Sequence, residues 1–308
     1  MTGKCLFIFT RLSGIVAAMK PPVLRSVPIV MVVFALASAV AVGLGAWVMA
    51  TSGLPVSLWL RNPVAWVAGL GLGLLVWRFP LRPPMVLLLA LCLVGATYLF
   101  PGQNHVHRWI GLGPIQINAA ALCLPMVVAA FRHGRYNLLT YIVLATLINA
   151  QPDASQLAAF IIPYFMFLFS GDWKRTVTGI FGGNLVAATA LIGIDRLPPV
   201  AHVEGIVGLA ASHSLPMTVG ILAALGVAAL SPLLSPASAT DRTLARGLAV
   251  YFAVTIGFIA TGYFPVPLAG YGISYVIGWW LGIGQLSGAP HFERSVAPPS
   301  QSRPISRL

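Results

Sequence analysis

Runs of apolar residues alternate with short polar breaks along nearly the whole chain, and most of these runs are long enough to cross or nearly cross a bilayer. Read against the Pro, Asn and charged breakers, the pattern predicts helices near 27–50, 64–77, 84–100, 114–131, 138–150, 157–170, 176–194, 204–234, 247–263 and 273–286. The second, fifth, sixth and tenth fall short of a bilayer's thickness, which implies local thinning or burial against neighbouring helices. The expected fold is therefore an all-α integral membrane bundle of about ten transmembrane helices. Residues 1–26 form an N-terminal segment before the membrane domain at 27–286, and 287–308, rich in Pro, Ser and Arg, reads as a disordered tail. The run from Met1 to Ala18 is weakly amphipathic and broken by Arg11, so no cleaved leader is read from it.

Composition agrees with the pattern: 58% of the 308 residues are hydrophobic and 8% charged, which excludes an ordinary water-soluble enzyme. A net charge of +12 would suggest nucleic acid if it lay on one soluble face. Here the basic residues sit in alternate loops, so the expectation is membrane topology and no nucleic-acid partner. With both termini in the cytoplasm, fifteen of the eighteen basic residues lie inside, leaving Arg61, Arg108 and Arg196 outside. Cys5 lies in the N-terminal segment, while Cys92 and Cys123 lie in apolar runs with no metal-ligand spacing.

The same topology sorts the six carboxylates. Asp172, Asp241 and Glu293 lie inside, the first two beside cations in inner loops where they read as solvated charges, whereas Asp153, Asp195 and Glu204 lie outside. The outer loop at 101–113 adds His105, His107, Arg108 and Trp109, and the next outer segment adds Arg196, His202 and His213. Interfacial Trp and Arg often do no more than anchor a helix to headgroups. Together with a carboxylate, however, they also make a candidate binding site. A divalent cation held by His105, His107, His202 and Glu204 is chemically allowed, although no spacing demands it and no cofactor is assigned.

Four segments resemble one family. Arg108-Trp109-Ile110-Gly111-Leu112-Gly113, with Asn118 five residues on, is similar to the R-W-I-x-L-G-x(4)-Q-P-S-E signature of the SEDS proteins (shape, elongation, division and sporulation), the RodA and FtsW group. Gln151-Pro152-Asp153 resembles that family's Q-P-D, and Pro199-x-Ala201-His202-x-Glu204-x-Ile206 its P-E-A-H-T-D-F-I. Pro265-x-Pro267-x(3)-Tyr271-Gly272-x-Ser274 resembles its P-x-P-F-x-S-Y-G-G-S. All four fall on the outer side of the topology. The resemblance covers roughly 84–286 and implies a ten-helix protein of cell shape or cell division that polymerises lipid II, or another undecaprenyl-linked sugar, at the outer face of the bacterial inner membrane. It also implies a transpeptidase partner of the class B penicillin-binding type.

Carried over position by position, the resemblance makes Glu204 the catalytic base, in place of the family's Asp. Arg108, Trp109, His202 and Asp153, which lie in those motifs, and Arg196, which shares their outer face, are the candidate substrate-binding residues. The chain departs from the family where Asn118, Ala119, Ala120, Ala121 and Leu124 replace an intramembrane carboxylate and cation, and where only four residues join Ile194 to Pro199. A non-catalytic scaffold of a wall or division complex, or a flippase for lipid-linked precursors, remains the alternative.

Overall fold

The computed structural model describes residues 26–104, 106–131, 135–168, 197–235 and 239–296. Nine of the ten expected spans fall among them, the sixth as far as residue 168, and the seventh, at 176–194, lies outside the described residues.

Helix α1, Ile29–Thr51, opens the bundle. A short helix α2, Val56–Trp59, leads into α3, Arg61–Arg78, and the two together make an apolar stretch of 23 residues from Val56 to Arg78. The expected start at 64 was too late because Arg61, Asn62 and Pro63 read as a break. Pro63 sits in the first turn of α3, where a missing N–H costs no hydrogen bond.

Helix α4, Pro83–Ala96, ends in a 3₁₀ turn at Thr97–Leu99. A hairpin follows, β1 Trp109–Leu112 against β2 Ile115–Asn118, in antiparallel register with Trp109 opposite Asn118 and Leu112 opposite Ile115. Its two-residue loop uses Gly113 at a φ of 61° followed by Pro114, the positive φ that a tight hairpin turn needs. The expected helix at 114–131 therefore begins only at α5, Ala119–Ala129, where the Asn118 side chain caps it by accepting from the Ala121 N–H at 2.9 Å.

Helices α6, Arg135–Ala150, and α7, Ala154–Leu168, complete the first half of the described bundle. After the undescribed stretch, the single helix expected at 204–234 is two, α8 Ile206–His213 and α9 Leu215–Leu230, with a 3₁₀ turn at Ser231–Leu234. Pro216 cannot donate within a continuous helix, so the chain breaks before it. The extended Ser214 then caps α9, its Oγ accepting from Met217 N–H at 3.3 Å.

Helix α10, Ala239–Gly257, runs into a 3₁₀ turn at Phe258–Thr261, and α11, Ile273–Val296, passes through the middle of the bundle. It continues ten residues past the expected end at 286, so the first part of the presumed tail is helical; residues 297–308 lie outside the described set. α11 packs mainly on α3 and α5, α1 on α9, and α10 on α7. Without water to drive helix association in a bilayer, close approach depends on small residues. Gly69 and Gly73 of α3 fill that role against the buried Trp280 of α11, which a methyl at Gly69 would meet at 2.7 Å.

The alternation of the helices brings Arg61 and Arg108 to one end of the bundle, and Arg78 and Arg82 to the other with the start of α10 and its Arg242 and Arg246. On the positive-inside rule the second end is expected to face the cytoplasm. In a variant lacking the native cysteines, a cysteine at Ala239 is expected to react with an impermeant thiol reagent only from the cytoplasmic side; labelling from outside would invert the orientation.

Candidate functional site

Four pieces of chain meet at the Arg61 and Arg108 end: the β1–β2 hairpin, the turn 198–205 before α8, the segment 262–272 before α11, and the start of α3. The turn and the segment are bonded together by backbone. Val266 N–H donates to Val203 O at 3.3 Å and Tyr271 N–H to His202 O at 2.9 Å. They approach so closely at Gly270 that any side chain there would strike the Val203 carbonyl.

Asn62, fully buried on α3, holds the same segment from below. Its amide donates to Gly270 O at 2.7 Å and Leu268 O at 3.3 Å, and its carbonyl accepts from Gly272 N–H at 3.2 Å. Arg61, the residue before it, donates to Pro114 O at 3.2 Å and to the Tyr271 hydroxyl, tying the hairpin tip to the segment. On the far side, Asn118 N–H donates to Ser274 Oγ at 2.8 Å.

Between these pieces lies a cavity of about 480 Å³, lined among others by Trp109, Gln116, Glu204, Tyr271, Ser274 and Tyr275. Trp109 and Glu204, expected at one site, do line one cavity. The carboxylate is half-exposed and also closes its own turn, Oε2 accepting from Val200 N–H at 2.7 Å. His202 packs its ring edge-on to Tyr271, with centroids 6.0 Å apart.

Burial pushes the His202 imidazole below its ordinary value. A histidine with a depressed folded pKa binds fewer protons folded than unfolded, so its contribution to stability is full at neutral pH and above. That contribution is lost as pH falls through the unfolded value of about 6.5. The thermal midpoint of the protein is therefore expected to fall between about pH 7 and pH 5.5. His202→Gln should flatten that part of the profile; an unchanged slope in the variant would put its origin elsewhere.

The other expected binding residues are placed differently. Arg108 and Asp153 are each 2% exposed and neither lines the cavity. Arg108 turns into the bundle, where its Nε stands 3.6 Å from Asp153 Oδ2 and donates to Gln151 O at 3.3 Å. A second guanidinium nitrogen donates to Pro152 O, and the guanidinium lies over the rings of Trp109 and Phe264. Asp153 accepts from Asn118 Nδ2, Ser155 Oγ and Gln156 N–H, all at 3.2 Å, and the last of these caps α7.

Arg196, Asp195 and His105 lie outside the described residues. His107 stacks on Tyr98 at 5.6 Å with Nδ1 3.2 Å from Phe100 O, and His213 bonds Ser52 Oγ at 3.0 Å. Among the described residues, no three His, Cys, Asp or Glu side chains gather where they could hold a metal.

Four residues of the site were missed. Arg61 stood in the sequence as one of three outer cations, and Tyr271 and Ser274 stood in a recognised motif, so each carried a signal. Asn62 carried none, because an Asn beside a Pro reads as a loop.

The arrangement offers an aromatic platform, several hydroxyl and amide groups and one carboxylate, in a cleft among the loops at one end of the bundle. That set suits a sugar whose hydroxyl gives up a proton.

No protein-family model matches the chain. A curated relative, the probable 4-amino-4-deoxy-L-arabinose-phosphoundecaprenol flippase subunit ArnE of Aeromonas hydrophila, is 40% identical over 73 residues. That match covers 20% of this chain and spans 64% of the relative's length. Among solved structures, the rod shape determining protein RodA of Thermus thermophilus superposes with a TM-score of 0.58 at 22% identity, over 84% of this chain and 95% of that one. A structure described for the coordination of polymerization and crosslinking by a peptidoglycan synthase complex matches with a TM-score of 0.57 at 22% identity, over 86% of this chain and 98% of that one. The chain is thus a multi-pass membrane protein with the RodA fold.

Proposed function

We propose that this chain is a SEDS-type glycosyltransferase of the bacterial inner membrane, which polymerises lipid II into glycan strands at the outer face. The observation that carries the reading is the placement of Glu204 and Trp109 in one open cavity of about 480 Å³, at the membrane end where the fold gathers its outer loops. In the reaction, the Glu204 carboxylate takes the proton of the acceptor's sugar hydroxyl as that oxygen attacks the donor's anomeric carbon. The bond from that carbon to pyrophosphate breaks with inversion, and the lipid pyrophosphate leaves with the electron pair. Arg61, at the rim through Tyr271, is placed to offset the departing charge. Arg108 and Asp153 serve as positioning residues, since they fix the hairpin and the start of α7 rather than meet substrate.

A class B transpeptidase is the proposed partner, a reading supported by the fold shared with a peptidoglycan synthase complex. One observation favours a scaffold instead: the Glu204 carboxylate already has a structural task in closing the 200–204 turn. The partial likeness to a phosphoundecaprenol flippase subunit favours lipid translocation.

Purified protein in lipid nanodiscs, given lipid II with and without a class B transpeptidase, is expected to yield glycan strands in at least one condition. No strands in either, with the protein folded, would leave the scaffold reading. Transbilayer movement of a labelled lipid precursor in proteoliposomes, without strands, would leave the flippase reading.

A further inference from the structure

The register of the β1–β2 hairpin fixes which of its residues face the cavity. Directly opposed residues share a face, so Trp109, Asn118, Gly111 and Gln116 form one row, and the three that carry side chains beyond Cα all line the cavity. Gly111 leaves a gap in that row. A methyl built there meets only the Phe100 ring, at 3.9 Å.

Gln116, directly across from the gap, is held in one orientation. Gln103, another wall of the cavity, donates from Nε2 to Gln116 Oε1 at 2.9 Å. Gln103 is itself anchored by two backbone bonds, its N–H donating to Val106 O at 3.1 Å and its O accepting from Val106 N–H at 2.8 Å. Val106 is buried, and Gly102 lies against the His107 ring that stacks on Tyr98. A glutamine amide left alone can turn either its donor or its acceptor end to a ligand. With its oxygen engaged by Gln103, Gln116 offers its N–H donors, and among the described residues no protein group accepts them.

A fixed amide donor opposite a methyl-sized gap matches one substituent of a sugar ring. The acetamido group carries a carbonyl acceptor and a methyl on the same carbon. We propose that Gln116, positioned by Gln103, and the gap at Gly111 form an acetamido subsite, which makes the cavity select an N-acetylated amino sugar. The Gln116 amide donates to the acetyl carbonyl, and the methyl lies over Gly111 toward Phe100. A free amino sugar is disfavoured because its ammonium has no acceptor for the Gln116 N–H, and a plain hexose leaves the gap empty. The inference rests on the reading of the cavity as a site for a lipid-linked sugar.

The test is equilibrium binding of radiolabelled polyprenyl-pyrophosphate N-acetylglucosamine to the full chain in nanodiscs, in competition with the same carrier bearing glucosamine or glucose. The parent should prefer the acetylated sugar over glucose by about tenfold, the ratio expected for one neutral hydrogen bond and one seated methyl. Gly111→Val fills the gap with a good strand former and should bring that ratio to within about twofold of one. Gln116→Glu is the sharper variant. Its carboxylate still accepts from Gln103 Nε2, so the contact between loop and hairpin is kept while the outward donor becomes an acceptor. The ratio of N-acetylglucosamine to glucosamine affinity should then fall by about tenfold or more from the parent's, since a carboxylate repels the carbonyl and attracts the ammonium.

A parent that binds the N-acetylglucosamine and glucose carriers alike, or a Gln116→Glu variant with the parent's ratio, would overturn the proposal and leave the two glutamines as a clasp between loop and hairpin. The binding readout separates this inference from the enzymatic one. A parent that selects the acetylated sugar but makes no glycan overturns the enzymatic reading alone, and one that makes glycan without that selectivity overturns only this one. A parent that binds none of the three carriers and makes no glycan overturns both.

Discussion

Replacing Glu204 with glutamine is expected to lower lipid II polymerisation by about 10²-fold or more, while leaving the fold intact. The structure makes this substitution unusually informative, because the carboxylate has two separable tasks. One is to accept the Val200 N–H at 2.7 Å and so close the turn that carries it. A glutamine carbonyl can accept the same bond, so the turn should lose about 1 kcal/mol or less. The other task is to take a proton, which an amide cannot do. Glu204→Asp restores the basic group on a side chain one methylene shorter, the residue used by the family the sequence resembles. It is expected to retain activity unless the displaced oxygens, moved by about 1 Å, cost up to roughly 10²-fold. Rates measured on both variants, with thermal midpoints beside them, decide the matter. A glutamine variant as fast as the parent would show that Glu204 only closes the turn.

The spans were legible because apolar length alone identifies a bilayer crossing, and the outer grouping of Trp109 and Glu204 was legible because charge bias sets the sides of the loops. What escaped was local. The hairpin is short, and β2 runs from Ile115 without a polar break into the alanines of α5, so a helix at 114–131 absorbed it. Yet Gly113-Pro114 is a turn signal, and a strand reading would also have predicted where Arg108 goes. Successive side chains near a strand point to opposite faces, so a Trp109 in the cavity implies an Arg108 turned away. Likewise Ser214 two residues before Pro216 marks a helix boundary in plain sequence. The tail reading failed at 287–296 because Gly288 and Pro290 look like breakers, and helix propensity is weak evidence beside packing.

The departures from the family have a physical counterpart in the bundle. Ala120, Ala121 and Leu124 are all buried, where the family carries an intramembrane carboxylate and cation. Ala121 lets α11 approach so closely that a side chain at Gly278 would strike its carbonyl. Gln156, close by, offers a neutral side chain that donates to the Tyr275 hydroxyl at 3.0 Å and accepts from Tyr251, while its N–H donates to the Asp153 carboxylate at 3.2 Å. Tyr275 also lines the cavity, so these hydrogen bonds hold one wall of the site without placing a charge at depth.

The buried charge that the described bundle does keep is the pair Arg108–Asp153, and Arg108→Met is expected to destabilise the protein by about 3–5 kcal/mol. The methionine fills much of the space, but the Asp153 carboxyl would be left 2% exposed and without its cation. Its remaining partners, Asn118 Nδ2, Ser155 Oγ and the Gln156 N–H, are neutral donors and offset only part of that cost. Asp153→Asn should cost less than Arg108→Met. The arginine keeps its backbone acceptors at Gln151 and Pro152 and its place over two aromatic rings, and an asparagine still caps α7. In the double variant neither charge remains, so the loss should fall short of the sum of the two by roughly 1–3 kcal/mol. Unfolding of the purified protein in detergent, followed by Trp fluorescence, measures all three. The outcome also settles what the two residues do. If Arg108→Met unfolds at the parent's midpoint and instead raises the KM for lipid II, the guanidinium meets substrate, and the sequence-based assignment of Arg108 and Asp153 as binding residues is restored.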